Sequence, residues 1–430
     1  MPAGKSQNSY NFIDLFAGAG GLSEGFFQAG FKPVAHVEMD EFAARTLETR
    51  CAYYYLKGTN NLNLYKKYML GKVTRDDFMK QIPASITKTI INETMSDKTL
   101  PAIFKIIDGI MKIRGIKNID VIIGGPPCQA YSLVGRAQSN HMDVPMADDP
   151  RNYLYKLYGR FLKRYQPRMF VFENVTGIES ANDGKTWKNV KKYLKSVGYE
   201  IECREQNART FGVLQNRRRM IIVGWLKNSG LAYPDFLDIK TDAVVNDLFT
   251  DLPVLHPGER ADKYARQKMS KYIMEMGIRT ADDVLTLHNS RPNQERDIKI
   301  YKKAIQLWNE GHKRLNYNDL PEKLKTHQNR HSFIDRFKVV EGDEAACHTI
   351  LAHLSKDGHY FIHPDIEQHR SITVREAARI QSFPDSYFFE GPRTSQFVQI
   401  GNAVPPMMAK GIAMGIFKQL YEGDHESDGK

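Results

Sequence analysis

A cysteine and a glutamate, each placed at the end of an apolar run, have the surroundings expected of catalytic residues. Cys128 lies in GGPPCQ, where Pro126 and Pro127 restrict the backbone that carries the thiol. Glu173 lies in FENV, at the end of another apolar run. A thiolate can attack an electrophilic carbon, and a carboxyl group can protonate or hydrogen-bond a substrate ring. A lone cysteine is usually a packed apolar residue, but thiol and acid together predict covalent catalysis.

A glycine-rich turn near the start of the chain predicts a site for a nucleotide-like ligand. In FAGAGG, Gly18, Gly20 and Gly21 allow the backbone to turn tightly beneath such a ligand. Glu38 follows about 20 residues later in the sequence. In nucleotide-binding sites, an acid at this separation accepts hydrogen bonds from ribose hydroxyls. The turn by itself leaves two alternatives open, a purely structural turn and a dinucleotide site.

Two further clusters carry side chains that could bind a ligand. QNRRR contains Arg217 and Arg219, whose planar donors suit a carbonyl oxygen or a phosphate, although an exposed basic turn has the same composition. Cys347 and the histidines between residues 348 and 363 match no zinc-ligand spacing. We therefore expect no metal site.

Short apolar runs alternate with helical stretches, and this pattern predicts the sheet that must position these residues. A strand, the glycine turn and an amphipathic helix account for residues 11–31. Further strands are predicted at residues 36–40, 119–127, 168–175 and 219–225. Strands separated by helices form a parallel sheet that binds ligands beyond its carboxyl ends. The motifs fall at such ends.

Changes in composition along the chain predict two domains. Residues 1–229 and 371–430 are expected to form one α/β domain, because helical patterns return at residue 371. Residues 230–370 are polar, contain proline and are rich in Lys and Arg, which indicates a smaller separate domain. Residues 52–117 are expected to be an insertion of helices, because one helix would suffice to join the flanking strands.

Charge and composition favour a nucleic-acid partner. The chain has 61 basic and 50 acidic residues, a net charge of +11 and a pI near 9.2, which is the sign expected for binding a polyanion. No apolar run reaches the roughly 18 residues of a membrane span, and the first residues lack the apolar segment of a secretory signal. The four cysteines contain no CxxC pair. We expect a cytoplasmic protein without membrane contact or disulfides.

Seven motifs, taken in order, point to one family. DLFAGAGG, EMD, GGPPCQ, ENV, QNRRR, TVREAARIQSFP and GNAV resemble those of DNA (cytosine-5) methyltransferases of the bacterial restriction-modification type. The resemblance covers both halves of the chain. It implies a Rossmann-like, S-adenosylmethionine-dependent methyltransferase domain with a mostly parallel, doubly wound sheet. Residues 230–370 would then be a target-recognition domain, with base-edge donors such as Arg291, Asn293 and Gln294.

The resemblance assigns S-adenosylmethionine binding to residues from both ends of the chain. Asp14 would support the glycine turn and Glu38 would bind the ribose. Asn92 and Glu93 are the alternatives for the residue that contacts the adenine amino group. Met39 stands where many relatives have an aromatic side chain that packs on adenine. The full set of predicted cofactor contacts is Asp14, Phe16, Gly18, Gly20, Leu22, Glu38, Met39, Pro126, Asn402 and Val404.

The resemblance also assigns the catalytic roles. Cys128 would add to carbon 6 of a cytosine that is rotated out of the duplex. Glu173 would hydrogen-bond the edge of the ring, while Arg217 and Arg219 would hold the cytosine carbonyl and the catalytic loop. The loop residues expected to contact the substrate are Gln129, Ser132 and Arg136.

The implied partner is double-stranded DNA, and DNA binding would associate the protein with the nucleoid. A cognate restriction endonuclease would act on the same sequence without stable binding. Two alternatives remain. One is a transfer-RNA (cytosine-5) methyltransferase of the same fold, which the large variable region disfavours. The other is a catalytically silent DNA-binding module, which the retained motif residues disfavour.

Overall fold

The centre of the fold is a seven-stranded sheet. A computed structural model of the chain describes residues 9–126, 153–179, 184–265, 269–332 and 334–426. The strands are β1 (Asn11–Leu15), β2 (Lys32–Glu38), β3 (Ile90–Asn92), β4 (Val121–Gly124), β5 (Met169–Asn174), β6 (Tyr199–Asn207) and β7 (Arg218–Leu226). Their order is β3-β2-β1-β4-β5-β7-β6. β7 runs antiparallel to the other six strands. The order reverses between β1 and β4, which is where such sheets bind ligands.

Helices cover both faces of this sheet. The helices of the described chain are α1 (Gly21–Gln28), α2 (Glu41–Gly58), α3 (Leu62–Met69), α4 (Arg75–Met79), α5 (Ala84–Thr87), α6 (Leu100–Arg114), α7 (Leu154–Tyr165), α8 (Lys185–Ser196), α9 (Lys271–Glu275), α10 (Glu295–Gly311), α11 (Val374–Ile380), α12 (Arg393–Asn402) and α13 (Pro406–Glu426). Ile122 and Phe170 pack with α6, α7 and α8, whereas Val121 and Val171 pack with α1 and α13. This arrangement confirms the predicted doubly wound α/β fold. Within the described ranges, no helix is both long and apolar enough to cross a membrane.

The strands predicted from apolar runs are present, and the sheet contains two more. β3 lies inside the segment 52–117, which was expected to contain only helices, and it pairs with β2. β6 pairs with β7 and alternates apolar with charged residues. Both extra strands lie at the edges of the sheet, where a strand needs few apolar residues. The short length of β3 and the polar character of β6 explain why the sequence pattern did not indicate them.

Residues 230–370 share a hydrophobic core with α11 and α12. Leu248 and Phe361 pack with Ala377 of α11 and with Phe397 of α12. The same region contains a short two-stranded sheet, formed by β8 (Arg260–Ala261) and β9 (His288–Asn289). The apolar core therefore crosses the domain boundary that the sequence predicts at residue 371, and the division into two domains stays a prediction.

Charged side chains on α11 are buried at this junction. Arg370 forms two bonds to the carboxylate of Glu376, at 2.7 and 2.8 Å, and both side chains are almost fully buried. Arg379 lies 2.6 Å from Asp251, which belongs to the region 230–370. Thr373 and Glu376 also form a capping box at the start of α11. The region and α11 are thus joined by paired charges as well as by apolar contacts.

We predict that Glu376→Gln lowers the free energy of unfolding by about 3 to 5 kcal/mol at pH 7, because Arg370 then keeps a buried charge without its partner. Burial by itself would raise the pKa of Glu376, but the charges of Arg370 and His363 outweigh burial and hold the pKa well below its ordinary value of 4.5. The stabilisation is therefore present above pH 4.5 and declines as the pH falls towards the lowered pKa. Urea unfolding at pH 7 and pH 3 measures both effects.

Glu41→Gln is the matched control for this measurement. Glu41 forms an ion pair with Arg45 on the surface, where both side chains are exposed. Exposed pairs contribute little to stability, so the urea midpoint should be nearly unchanged. Equal midpoints for Glu376→Gln and Glu41→Gln would contradict the role assigned to the buried pair.

Candidate active site

The carboxyl ends of β1, β4 and β5 meet at one edge of the sheet and form a crevice. Leu15 pairs with Gly124, and Gly124 pairs with Phe172. A Cβ atom on Gly124 would lie 2.3 Å from the carbonyl oxygen of Leu15, so this approach requires glycine. The glycine turn follows β1, and Gly125 with the buried Pro126 follows β4. The predicted cofactor and catalytic segments therefore lie side by side.

Glu173 and Arg219 form an ion pair in this crevice. Arg219 Nε lies 2.8 Å from Glu173 Oε1, and the two side chains are 12% and 13% exposed. Glu173 lies near the end of β5, and the antiparallel strand β7 begins beside it. Gly125 approaches the same group closely, since a Cβ atom there would lie 2.6 Å from Glu173 Oε2. The pair offers acceptor oxygens and planar N–H donors, which can bind a ring that carries an amine and a carbonyl.

Arg217, the other predicted catalytic arginine, is fully buried away from Glu173. Its Nη1 donates to the carbonyl oxygen of Ile350 at 2.8 Å, and its Nη2 donates to that of Gly401 at 3.0 Å. These bonds join the region 230–370 to the end of α12. The substrate contact predicted for Arg217 stays a prediction, and its contacts favour a role in positioning the surrounding backbone.

Glu38 is held by the backbone at the end of β2. Its Oε2 accepts a hydrogen bond from the Gly18 amide at 2.7 Å, and its Oε1 accepts one from the Asp40 amide at 2.8 Å. Burial raises the pKa of Glu38, and these amide bonds oppose the rise. Each carboxylate oxygen can accept two hydrogen bonds, so both retain capacity for a further donor. A pair of ribose hydroxyls fits this requirement.

Three predicted apolar contacts of the cofactor lie in different environments. Met39 is 63% exposed, so its side chain is accessible at the end of β2. Phe16 is half-buried and has a φ of +56°, a backbone conformation uncommon for a residue other than glycine. The side chain of Leu22 packs in the core beneath α1. Met39 and Phe16 are therefore better placed than Leu22 to contact a ligand through their side chains.

The C-terminal part of the chain reaches the glycine turn. A Cβ atom on Gly21 would lie only 2.2 Å from the carbonyl oxygen of Val404. Asn402 ends α12 nearby and is exposed. The open space around Gly18, where a Cβ atom would have no neighbour within 4 Å, lies in the same turn. The structure thus brings Val404 to the turn that the sequence predicts to hold the cofactor.

Asp14 links β1 to α1. It is buried and accepts a hydrogen bond from the hydroxyl of Ser23. Burial raises the pKa of Asp14 to about 8, although the Ser23 bond opposes the rise. Asp14 Oδ1 has no hydrogen-bond partner among the residues that the structure describes. This geometry fits support of the turn, the role expected for Asp14.

The end of β3 places both candidates for the adenine contact beside Glu38. Asn92 Nδ2 donates to the carbonyl oxygens of Glu38 and Met39, at 2.9 and 3.1 Å. The backbone amide of Glu93 donates to the carbonyl oxygen of Glu38 at 3.1 Å. The pairing of β3 with β2 places Asn92 and Glu93 beside Glu38. The length of the segment before β3 prevents this position from being predicted from the sequence.

The guanidinium of Arg291 is bonded within the fold. It is buried, and its two terminal nitrogens donate to the carbonyl oxygens of Lys356 and Leu354. The base contact expected of Arg291 stays a prediction, and its contacts favour a role inside the fold. Gln294, by contrast, is exposed.

Several predicted residues lie outside the described part of the chain. They include Cys128 and the loop residues Gln129, Ser132 and Arg136. Where side chains are described, no group of three or more His, Cys, Asp or Glu residues could hold a metal ion. His348 instead bonds Glu341, at 2.6 Å.

Comparison with known proteins places the whole chain in one family. It matches the C-5 cytosine-specific DNA methylases over residues 10–64 and 90–418. A type II methyltransferase of Bacillus paralicheniformis is 41% identical, covering 96% of this chain and 99% of the relative. One from Desulfomicrobium norvegicum is 31% identical, covering 94% and 87%.

Solved structures show the same fold. The crystal structure of a candidate DNA modification methyltransferase, encoded within a prophage of Escherichia coli, aligns with a TM-score of 0.61 at 23% identity. The alignment covers 96% of this chain and 99% of that structure. The chain therefore belongs to the C-5 cytosine-specific DNA methylases, and its predicted activity as a DNA (cytosine-5) methyltransferase is confirmed.

Proposed function

We propose that the protein methylates carbon 5 of a flipped-out cytosine in a specific duplex DNA sequence, through a covalent bond to Cys128, and so protects DNA from restriction. The observation that carries this proposal is the ion pair of Glu173 and Arg219 beside Gly125. Cys128 follows Gly125 by three residues in the sequence. The segment that contains Gly125 therefore joins the ion pair to the thiol of Cys128 over a short stretch of sequence.

A covalent step is needed because carbon 5 of cytosine is a weak nucleophile. Addition of the Cys128 thiolate at carbon 6 would place electron density on carbon 5. Loss of the carbon 5 proton after methylation would expel the thiolate and restore the aromatic ring. The reacting ring atoms cannot be reached inside a stacked duplex, so the base must rotate out.

Glu173 and Arg219 would stabilise the charge that develops during this addition. In its protonated form, the carboxyl group of Glu173 would donate to ring nitrogen 3 and accept from the exocyclic amine, and Arg219 would donate to the carbonyl oxygen. The 2.8 Å contact between the two side chains fixes their orientation before a base enters. Thymine lacks the exocyclic amine, so the same contacts favour cytosine.

The crevice beside β1 and β2 fits S-adenosylmethionine. Glu38 would accept hydrogen bonds from the ribose hydroxyls, Met39 would cover the adenine, and Asn402 with Val404 would close the site from the far end of the chain. When bound, this cofactor supplies a methyl group on a positively charged sulfur. The glycine turn would let the backbone approach it closely.

Sequence recognition would reside in the region 230–370. This region is rich in side chains that can donate to base edges and phosphates. The relatives named above are type II methyltransferases. By analogy with these restriction-modification proteins, a cognate endonuclease would cut the same sequence when it is unmethylated.

The covalent step is tested by trapping on a fluorinated substrate. The duplex is made by amplification with 5-fluorocytosine in place of cytosine, and it is incubated with protein and S-adenosylmethionine. Fluorine at carbon 5 cannot leave as a proton does, so we expect a stable protein–DNA band on a denaturing gel. Cys128→Ala should abolish this band.

Cys203→Ala is the matched control for trapping. Cys203 lies on β6 and is half-buried, and burial raises the pKa of its thiol to about 12. This variant should trap DNA as the parent does. Trapping by Cys128→Ala, or no trapping by the parent on DNA that it methylates, would refute the covalent mechanism.

We predict that Glu173→Gln lowers the methylation rate at least 100-fold, within the range of about 10² to 10⁴ for general acid–base groups. Arg219→Lys should lower the rate as well, because Lys keeps the charge but loses the planar donors. Initial rates with tritiated S-adenosylmethionine measure both. The controls are Glu179→Gln and Arg218→Lys at exposed neighbouring positions. If these controls lose as much methylation rate as Glu173→Gln and Arg219→Lys, the assigned roles are contradicted.

We predict that Gly125→Ala lowers the methylation rate about tenfold or more with little loss of stability. The added Cβ atom would lie 2.6 Å from Glu173 Oε2, so the carboxyl group must move. Methylation rate and thermal unfolding together separate this effect from misfolding. Gly109→Ala is the control, because a Cβ atom there has no neighbour within 4 Å.

A further inference from the structure

A second cavity lies between α1, α2 and one face of the sheet, apart from the crevice that holds Glu38 and Glu173. Its volume is about 240 Å³. Aromatic and aliphatic side chains form much of its wall, among them Phe12, Phe27, Leu47, Tyr54 and Tyr387. A cavity of about 150 Å³ is large enough to bind benzene when its wall is apolar. This cavity can therefore hold a substituted aromatic ring.

A buried imidazole in the wall lacks a partner. His36 lies on β2 and is only 3% exposed. Its Nδ1 has no hydrogen-bond partner within the described part of the chain. Burial and the nearby charge of Arg114 lower the pKa of His36 to about 4, so the ring is neutral and carries one N–H donor. A neutral ring adds no charge to the cavity, so the charge of the cavity is set by its other lining residues.

The charges around the cavity favour an anion. Glu24 and Arg50 neutralise each other, with bonds of 2.6 and 2.8 Å between them. Lys32 and Arg114 are exposed and also line the cavity. Arg114 donates to the carbonyl oxygens of Pro33 and Ser85, which uses two of the five donors of a guanidinium. The lining therefore has an excess of positive charge.

We propose that this cavity binds a small aromatic carboxylate. The ring would lie among the aromatic side chains, and the carboxylate would pair with Arg114 and Lys32. None of the lining residues is Glu173, Arg219, Glu38 or Met39. Gly20, one of the predicted cofactor contacts, also lines the cavity. No catalytic or ribose-binding residue does, so the ligand need not be a substrate.

Binding of 4-fluorobenzoate to the full-length protein, followed by fluorine NMR, tests the proposal. We expect a dissociation constant below about 1 mM, and at least roughly fivefold weaker binding of the uncharged 4-fluorobenzyl alcohol. Arg114→Gln should weaken 4-fluorobenzoate binding about fivefold, because one charge of the carboxylate pair is lost. Lys112→Gln is the matched control on the same helix, since Lys112 is exposed but does not line the cavity.

A second variant tests the position of the ring. Cys51 lines the cavity, so Cys51→Phe should fill it and abolish binding, and circular dichroism shows whether the variant is folded. Because Arg114 is on the surface, we expect Arg114→Gln to fold. Its binding measurement therefore still tests the proposal if Cys51→Phe does not fold. No binding at millimolar concentration, equal binding of the alcohol, or equal losses in Arg114→Gln and Lys112→Gln would overturn the proposal.

Discussion

Close backbone contact joins α1 to α13 and to the segment that precedes α13. A Cβ atom on Gly21 would lie 2.2 Å from the Val404 carbonyl oxygen, and one on Gly25 would lie 2.3 Å from the Lys410 amide nitrogen. Only glycine allows α1 to approach these backbone atoms this closely. Segments almost 400 residues apart in the sequence therefore form one wall of one site. Because the turn between β1 and α1 also donates to Glu38, this helix contact positions the predicted ribose site as well.

A buried polar network extends this constraint to the region 230–370. Gln215 Nε2 donates to Gln381 Oε1 at 2.9 Å, and Gln215 Oε1 accepts the Ile350 amide at 2.8 Å. Arg217 binds the Ile350 carbonyl from the same motif, QNRRR. Two residues later Arg219 reaches Glu173 in the crevice. One short motif therefore contacts the region 230–370 through Gln215 and Arg217, and contacts Glu173 through Arg219. Both the region and the Glu173 carboxyl group are thereby positioned relative to β7.

The sequence predicted those parts of the fold and site that depend on local pattern. Buried strands such as β4 and β5 are continuous apolar runs, so their ends, and Glu173 with them, could be located. β3 could not, because three residues at a sheet edge carry no periodic signal, and the position of Asn92 beside Glu38 depends on that pairing. The burial of Arg217 and Arg291 depends on distant carbonyl groups that fold against them, and no local pattern distinguishes a buried arginine from an exposed one.

Several arginines are buried, and burial of unpaired arginines would make the surface less positive than the net charge of +11 indicates. Arg50 is paired with Glu24, and Arg370 with Glu376, inside the fold. Among the described residues, buried acids are at least as numerous as buried arginines, so burial removes no surplus of positive charge. Within the part of the chain that the structure describes, the excess of positive charge therefore lies on side chains that are at least partly exposed. Long-range electrostatic attraction depends on accessible charge, so this excess can attract a polyanion to the protein.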